Sequence, residues 1–285
     1  MTDIPSRLDR DTPFGSYAPK GFDKSLLDFA RAMPPGGLPY RLALAVQRIF
    51  LNRWGEGPVD AVSFGQKIRF YPQDNVCERR SLLTPQRFDP EERAMLAEVL
   101  DPGGVFVDLG ANAGFYSLSL APLVGPEGIV LSIEPQPEVF GRLSHNISLN
   151  GLTQIRARQL GVSDEPGELT LYQSTNNRGE ATVAIADRMV GEGTTITVKP
   201  LLTLLAEEGI TRVDGLKIDI EGHEDAALFP FMKEADDALL PKVIVSENSW
   251  SEWQRDWVGA AKERGYALVL DGKRNIVLRR GSSSA

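Results

Sequence analysis

From Pro90 onward, short apolar runs with the look of buried strands alternate with helical patterns at the spacing of βαβ units. Strands are expected at 105–109, 129–133, 155–162, 215–220, 242–247, 266–270 and 275–279. Helices are expected at about 114–123, 137–149, 201–208, 224–235 and 251–264, after a first one at Pro90–Leu100. Such alternation predicts an α/β fold with a mostly parallel sheet covered on both faces, and ligands bound at the carboxyl ends of the strands. The last two runs meet through Asp271-Gly272 and predict an antiparallel hairpin at the sheet edge. Residues 167–199 break the rhythm with the strand-like runs ELTLYQ, ATVAI and ITVK, and read as an insertion beside the site.

A chain of 285 residues leaves room for one large domain and an appendage. The appendage differs in charge. Residues 1–53 carry eight cations and five anions, a net of +3, so the rest carries −11 of the total −8. An acidic main body argues against a nucleic-acid footprint, which needs clustered cations. One cysteine, Cys77, excludes an internal disulfide and fits a reducing compartment. No run of ~18 apolar residues predicts a membrane-spanning helix, and no secretory layout is visible, so the expected address is the cytoplasm. The first twenty or so residues read as a loose arm. Helices follow at Lys24–Met33 and Pro39–Asn52, and residues 59–71 alternate as a hairpin does. In the second helix Leu42, Val46, Ile49 and Phe50 recur at helical spacing, with Arg41 and Arg48 flanking them. That stripe is read as packing on the main domain; weak contact with a membrane surface or a partner is the alternative. The division expected is therefore an extension at 1–89, a cofactor-binding domain at 90–280 and a flexible tail at 281–285.

The densest local signal is VFVDLGANAGFYS, residues 105–117. An apolar strand reaches Asp108, a glycine-bearing turn follows, and an apolar helix starts near Gly114. Gly110 and Gly114 allow a sharp turn and a close approach to a ligand, and free amides at the helix start favour an anionic group. Glu134 ends the next strand, where a carboxylate can accept from both hydroxyls of a ribose. The dinucleotide fingerprint needs a middle glycine, but Asn112 stands there, and no G-K-[ST] follows. The pattern therefore favours an adenosine ligand without a pyrophosphate, of which S-adenosyl-L-methionine is the familiar one.

VDLGANAGFYSLSLA, IEPQPEVFGRLSHNISLNG, GVSD, and LKIDIEGHEDAAL followed by VIVSEN together resemble the FkbM family of S-adenosylmethionine-dependent methyltransferases. The resemblance covers roughly residues 90–280. It implies the class I methyltransferase fold, a Rossmann-like seven-stranded mostly parallel sheet with helices on both faces. It also implies that Asp108, Gly110, Asn112 and Gly114 line the methionine part of the cofactor. Glu134 would hold the ribose, Ser163 and Asp164 would sit near the adenine, and Asp219 would flank the transferring methyl. The chain departs from the family at Pro200-Leu201-Leu202-Thr203, where a T-L-D-type helix start is common.

A hydroxyl acceptor benefits from a nearby base, and candidates cluster in KIDIEGHE: Asp219, Glu221, His223 and Glu224, with Glu247 at the end of the fifth strand. His223 titrates near working pH; the alternative is a solvent-facing histidine at a helix start. Asp219 and Glu221 alternate along the chain, so only one of them is expected to point inward. His145 has no ligand-spaced companions and reads as structural, and no metal site is expected. Asn146 and Asn150 are expected to anchor the helix that ends at Gly151. Trp250, Trp253 and Trp257 would share one helical face. Cys77 reads as packing, and the run Cys77-Glu78-Arg79-Arg80 falls where a substrate cover is often built. The family resemblance implies O-methylation of a sugar, a lipid-linked glycan or a secondary metabolite. The alternatives are an RNA methyltransferase, which the absence of an N-P-P-[YFW] box disfavours, and a non-catalytic nucleotide-binding module.

Overall fold

The structure is a computed structural model that describes residues 8–34, 37–174, 177–182 and 193–281. In chain order it contains α1 (Gly21–Ala32), α2 (Gly37–Trp54), β1 (Val59–Ser63), β2 (Gln66–Phe70), α3 (Val76–Leu83), α4 (Pro90–Ala97), β3 (Val105–Leu109), α5 (Phe115–Val124), β4 (Ile129–Ile133) and α6 (Pro137–Asn150). Next come β5 (Ile155–Arg158), β6 (Gly161–Val162), β7 (Gly167–Ser174), β8 (Asn177–Thr182), β9 (Gly193–Lys199), α7 (Leu201–Glu207) and β10 (Gly215–Ile218). The chain closes with α8 (Glu224–Glu234), β11 (Val243–Glu247), α9 (Trp257–Glu263), β12 (Tyr266–Asp271) and β13 (Asn275–Arg280).

Seven strands form one sheet in the order β12-β13-β11-β10-β3-β4-β5. All pairings are parallel except those of β13, which runs antiparallel to both β11 and β12. Alternation along each strand sorts the two faces. Val105, Val107, Leu109, Leu216, Ile218 and Ile244 pack with α7, α8 and α9. Phe106, Val130, Val243, Val245 and Val277 face α4, α5 and the N-terminal elements. Leu27, Phe50, Ile68 and Leu82 belong to that second cluster, so the N-terminal segment shares a core with the sheet.

Several expectations are corrected. The arm is tied down from residue 8: Tyr71 Oη accepts from the Asp9 amide at 2.9 Å, and Asp60 accepts from the amides of Gly15 and Tyr17. The fully buried Arg69 bridges these pieces, donating to Asp60 at 2.8 Å and to the Asp9 carbonyl at 2.9 Å. The strand expected at 155–162 splits. Its second half, β6, pairs with β9 in a separate four-stranded sheet of order β6-β9-β7-β8 that holds the irregular insertion. Part of the ATVAI run lies outside the described residues. The helix expected at 251–264 begins only at Trp257, because Asp256 caps it through the Gly259 amide and Asp225 takes the amides of Gln254 and Arg255. The three tryptophans consequently share no helix, although their rings still meet in series, tilted at 5.0 Å and edge-to-face at 5.4 Å.

Asn146 and Asn150 anchor more than their own helix. Asn150 meets Lys67 as a neighbouring strand would, accepting from its N–H at 2.8 Å and donating to its carbonyl at 2.7 Å. Asn146 accepts from the Arg69 amide and donates to the Ala113 carbonyl. Helix α6 thus joins the β1–β2 hairpin to the glycine turn.

Candidate active site

The carboxyl ends of β3, β4, β10 and β11 open into a cavity of about 300 Å³. Helix α3 walls one side with Val76, Cys77 and Arg80, and the second sheet contributes Val162, Leu169, Leu171, Ile196 and Val198. Asn112, Glu221 and Asp89 have φ of 51°, 56° and 44°; all three line this cavity, and left-handed backbone at non-glycine residues gathers at binding sites.

The turn after β3 is built around Gly110. Its φ is +74°, and a Cβ there would lie 1.8 Å from the carbonyl oxygen of Asp219, so the contact between turn and strand admits only glycine. Glu134 is braced by the same turn. One carboxylate oxygen accepts from the Asn112 amide and the other from the Gln136 amide, both at 2.9 Å. These bonds aim the group but leave further lone pairs on each oxygen. Burial outweighs the bonds and pushes the Glu134 pKa up to about 7. The Asn112 side chain also accepts from Asn75 Nδ2 at 2.9 Å, while Asn75 Oδ1 caps α3 through the Glu78 amide. Glu78 turns inward, where its buried carboxylate pairs with Arg142 of α6.

Beneath the cavity floor runs a polar layer. Register places Lys217 beside Asp108 and Asp108 beside Ser132 on three adjacent strands. Asp108 is fully buried and accepts from the Ser117 amide and hydroxyl, and Ser117 meets Ser132 at 2.7 Å. Lys217 donates to the Gly110 carbonyl at 2.7 Å and stands 3.7 Å from both Asp108 and Asp219. Burial raises the Asp108 pKa while Lys217 opposes the rise. Burial would depress Lys217, but the charges of Asp219 and Asp108 prevail and raise it.

Of the residues singled out by sequence, Gly110, Asn112, Glu134, Asp219, Glu221, His223 and Glu247 line the cavity together. Both Asp219 and Glu221 border it, against the expectation that only one would, because β10 ends at Ile218 and strand alternation no longer applies. Asp108 lies behind the wall, and Gly114 packs at the start of α5, where a Cβ would meet Leu143 at 2.8 Å. Ser163 and Asp164 stand beside His223: Ser163 Oγ is 3.0 Å from His223 Nε2 and bonds Asp164, which pairs with Arg255 at 2.6 Å. His223 is therefore half-buried rather than solvent-facing, and loss of hydration lowers its pKa. Glu224 turns away to accept from the Ile220 and Gly222 amides and from Trp253 Nε1. Glu247 keeps one buried oxygen without a hydrogen bond, and burial beside Asp219 and Glu224 pushes its pKa up to about 8. Burial lifts the Cys77 thiol to about 12, consistent with packing.

Sequence reasoning missed Lys217, Asn75 and the cavity-facing Arg274 and Asn275. A signal existed for the first two. A lysine inside the apolar strand GLKI demands buried partners, and Asn75-x-x-Glu78 has the spacing of a helix N-terminus. Among the described residues no cluster of acids, histidines and cysteine is arranged to hold a metal.

The strand order, the antiparallel β13, the glycine turn after the central strand and the acid ending its neighbour define a class I S-adenosylmethionine-dependent methyltransferase. A family profile described as the Methyltransferase FkbM domain matches residues 108–268, and the chain belongs to this family. Methyltransferase sdnD of Sordaria araneosa is 31% identical over 147 residues, covering 41% of this chain and 56% of that protein. The 31-O-demethyl-FK506 methyltransferase FkbM of Streptomyces tacrolimicus is 27% identical over 200 residues, 60% of this chain and 76% of that one. Among solved structures, a putative rRNA-methylase from Clostridium thermocellum aligns with a TM-score of 0.45 at 11% identity, over 68% of this chain and 95% of that chain.

Proposed function

We propose that this chain transfers a methyl group to a hydroxyl of a sugar, lipid-linked glycan or secondary metabolite, with Glu247 as the base. The residues fit the donor. Glu134 offers aimed acceptors for ribose hydroxyls, and the apolar side chains of Val162, Leu169, Ile196 and Val198 offer a dry wall for adenine. Asp219 and Glu221 border the cavity with carboxylates that suit a sulfonium and an amino group. Bound S-adenosylmethionine supplies an activated methyl on sulfur. What the protein must add is alignment of the acceptor oxygen and a place for its proton.

Glu247 carries this reading. Its buried, unbonded oxygen at the cavity edge, with a pKa of about 8, is matched to accept a hydroxyl proton as the new O–C bond forms. His223 is engaged by Ser163, and the charge of Asp219 is partly compensated by Lys217. The Streptomyces relative is named for an O-demethyl acceptor, which supports oxygen as the atom methylated.

Because the ionised form of Glu247 is the base, turnover is expected to rise with pH and level off above about 8. Glu247→Gln should remove that limb and lower kcat by about 10²–10⁴-fold while leaving cofactor affinity within a few-fold. An unchanged pH profile in the variant would dismiss Glu247. Glu134→Gln is expected to weaken S-adenosylmethionine binding by about 10–100-fold in calorimetry, the worth of hydrogen bonds to a charged acceptor. In the wild type, affinity should decline as pH falls below about 7, where Glu134 protonates. The acceptor itself is found by incubating the enzyme with methyl-labelled donor and fractionated lysate. Label in RNA would reject the small-molecule reading.

A further inference from the structure

Six of the nine large apolar side chains exposed among the described residues fall between positions 22 and 62: Phe22, Phe29, Leu42, Leu44, Ile49 and Val62. Helices α1 and α2 pack against each other as a hairpin, and Arg53 near the end of α2 sits 5.1 Å over the Phe22 ring near the start of α1. The end of α2 thus lies beside the start of α1, and the two helices run antiparallel. Phe22 and Phe29 are then two turns apart on α1, and Leu42 and Ile49 two turns apart on α2. The sequence stripe of α2 has split in consequence. Val46 and Phe50 are buried, with Ala43, against the core, while Leu42 and Ile49 face outward.

Cations surround this surface. Lys24 and Arg53 are matched by Asp28 and Asp23, but Lys20, Arg41 and Arg48 are exposed with no ion pair among the described residues. Arg41 and Arg48 are also two turns apart, on the outer side of α2. The result is an apolar stripe with unneutralised cations, on the +3 segment of a chain that is otherwise strongly acidic.

We propose that the outer face of the α1–α2 hairpin docks on the surface of an anionic lipid bilayer. Phenylalanine and leucine side chains would enter the headgroup boundary while arginines meet the lipid charge. Charge selects this occupant. A second copy would present the same cations to themselves in a two-fold contact, and a spanning role is excluded for the described helices, none of which is long and apolar enough to cross a membrane. The face is close to the site. Arg31 of α1 donates to the Leu82 carbonyl of α3, the helix that walls the cavity, so docking would hold that wall near the membrane. The proposal rests on this surface alone and survives if the reaction assignment fails.

The test is co-sedimentation of the full chain with vesicles of phosphatidylcholine alone and with 30% phosphatidylglycerol added, at low and high salt. Binding is expected only to the anionic vesicles and should weaken with salt. A Phe22→Gln/Phe29→Gln double variant and an Arg41→Gln/Arg48→Gln double variant should each reduce partitioning on the order of tenfold, with circular dichroism and melting unchanged. Failure to bind anionic vesicles overturns the proposal, as does binding that neither variant reduces. A concentration-dependent dimer abolished by the same variants, without vesicle binding, would overturn it in favour of self-association.

Discussion

Lys217→Met is expected to destabilise the protein by about 3–5 kcal/mol, the cost typical of removing one partner from a buried ion pair. The lysine sits in the apolar strand β10 with Asp108 beside it in register, and Asp108 has no exposure to water. One oxygen of Asp108 has no hydrogen bond and depends on the ammonium 3.7 Å away. Without it the carboxylate must take up a proton or remain as an uncompensated buried charge. Asp108→Asn in the Lys217→Met background should therefore recover part of the loss, which urea denaturation of both variants would measure. A single variant as stable as wild type would show that the layer is not electrostatically coupled. Cofactor affinity should fall as well, since Lys217 also holds the Gly110 carbonyl.

Gly110→Ala is the second large effect. A methyl group would sit on the Asp219 carbonyl oxygen, and alanine is disfavoured at φ +74° by about 1–2 kcal/mol even where there is space. The turn must move, and with it the Asn112 amide that aims Glu134. The expected outcome is loss of S-adenosylmethionine binding by more than about 100-fold in calorimetry, with the fold retained in circular dichroism. Gly209→Ala serves as the comparison: its φ is +67° with open space around it, so it should cost stability without touching affinity. Retained affinity in Gly110→Ala would separate the turn from the cofactor.

The sheet was legible because its signals are local. The strands β3, β4, β11 and β13 each carry their own apolar run, and βαβ connections restrict the topology. The cavity floor was half legible: the acids of DIEGHE and VIVSE stood out, whereas Lys217 was passed over although its polarity in a buried strand was the same kind of clue. Pairings between distant residues were not readable. Nothing near Asn75 in sequence announces Asn112, and nothing near Asp9 announces Tyr71. For that reason the arm reads as loose in sequence, whereas its described part is clamped from Asp9 onward. The tryptophan spacing misled because a period of 3.6 says which residues could share a face, while Asp225 and Asp256 decide where helix begins.

The Asn75–Asn112 bond, the Asn146 and Asn150 contacts with β2 and the Arg142–Glu78 pair all cross from the first 89 residues to the glycine turn and helix α6. They make the glycine turn and the β1–β2 hairpin parts of one cooperative unit of unfolding. Amides on both should exchange with solvent hydrogen at similar rates, and deletion of the extension would expose Arg142, Asn146 and Phe115 rather than release a minimal catalytic core.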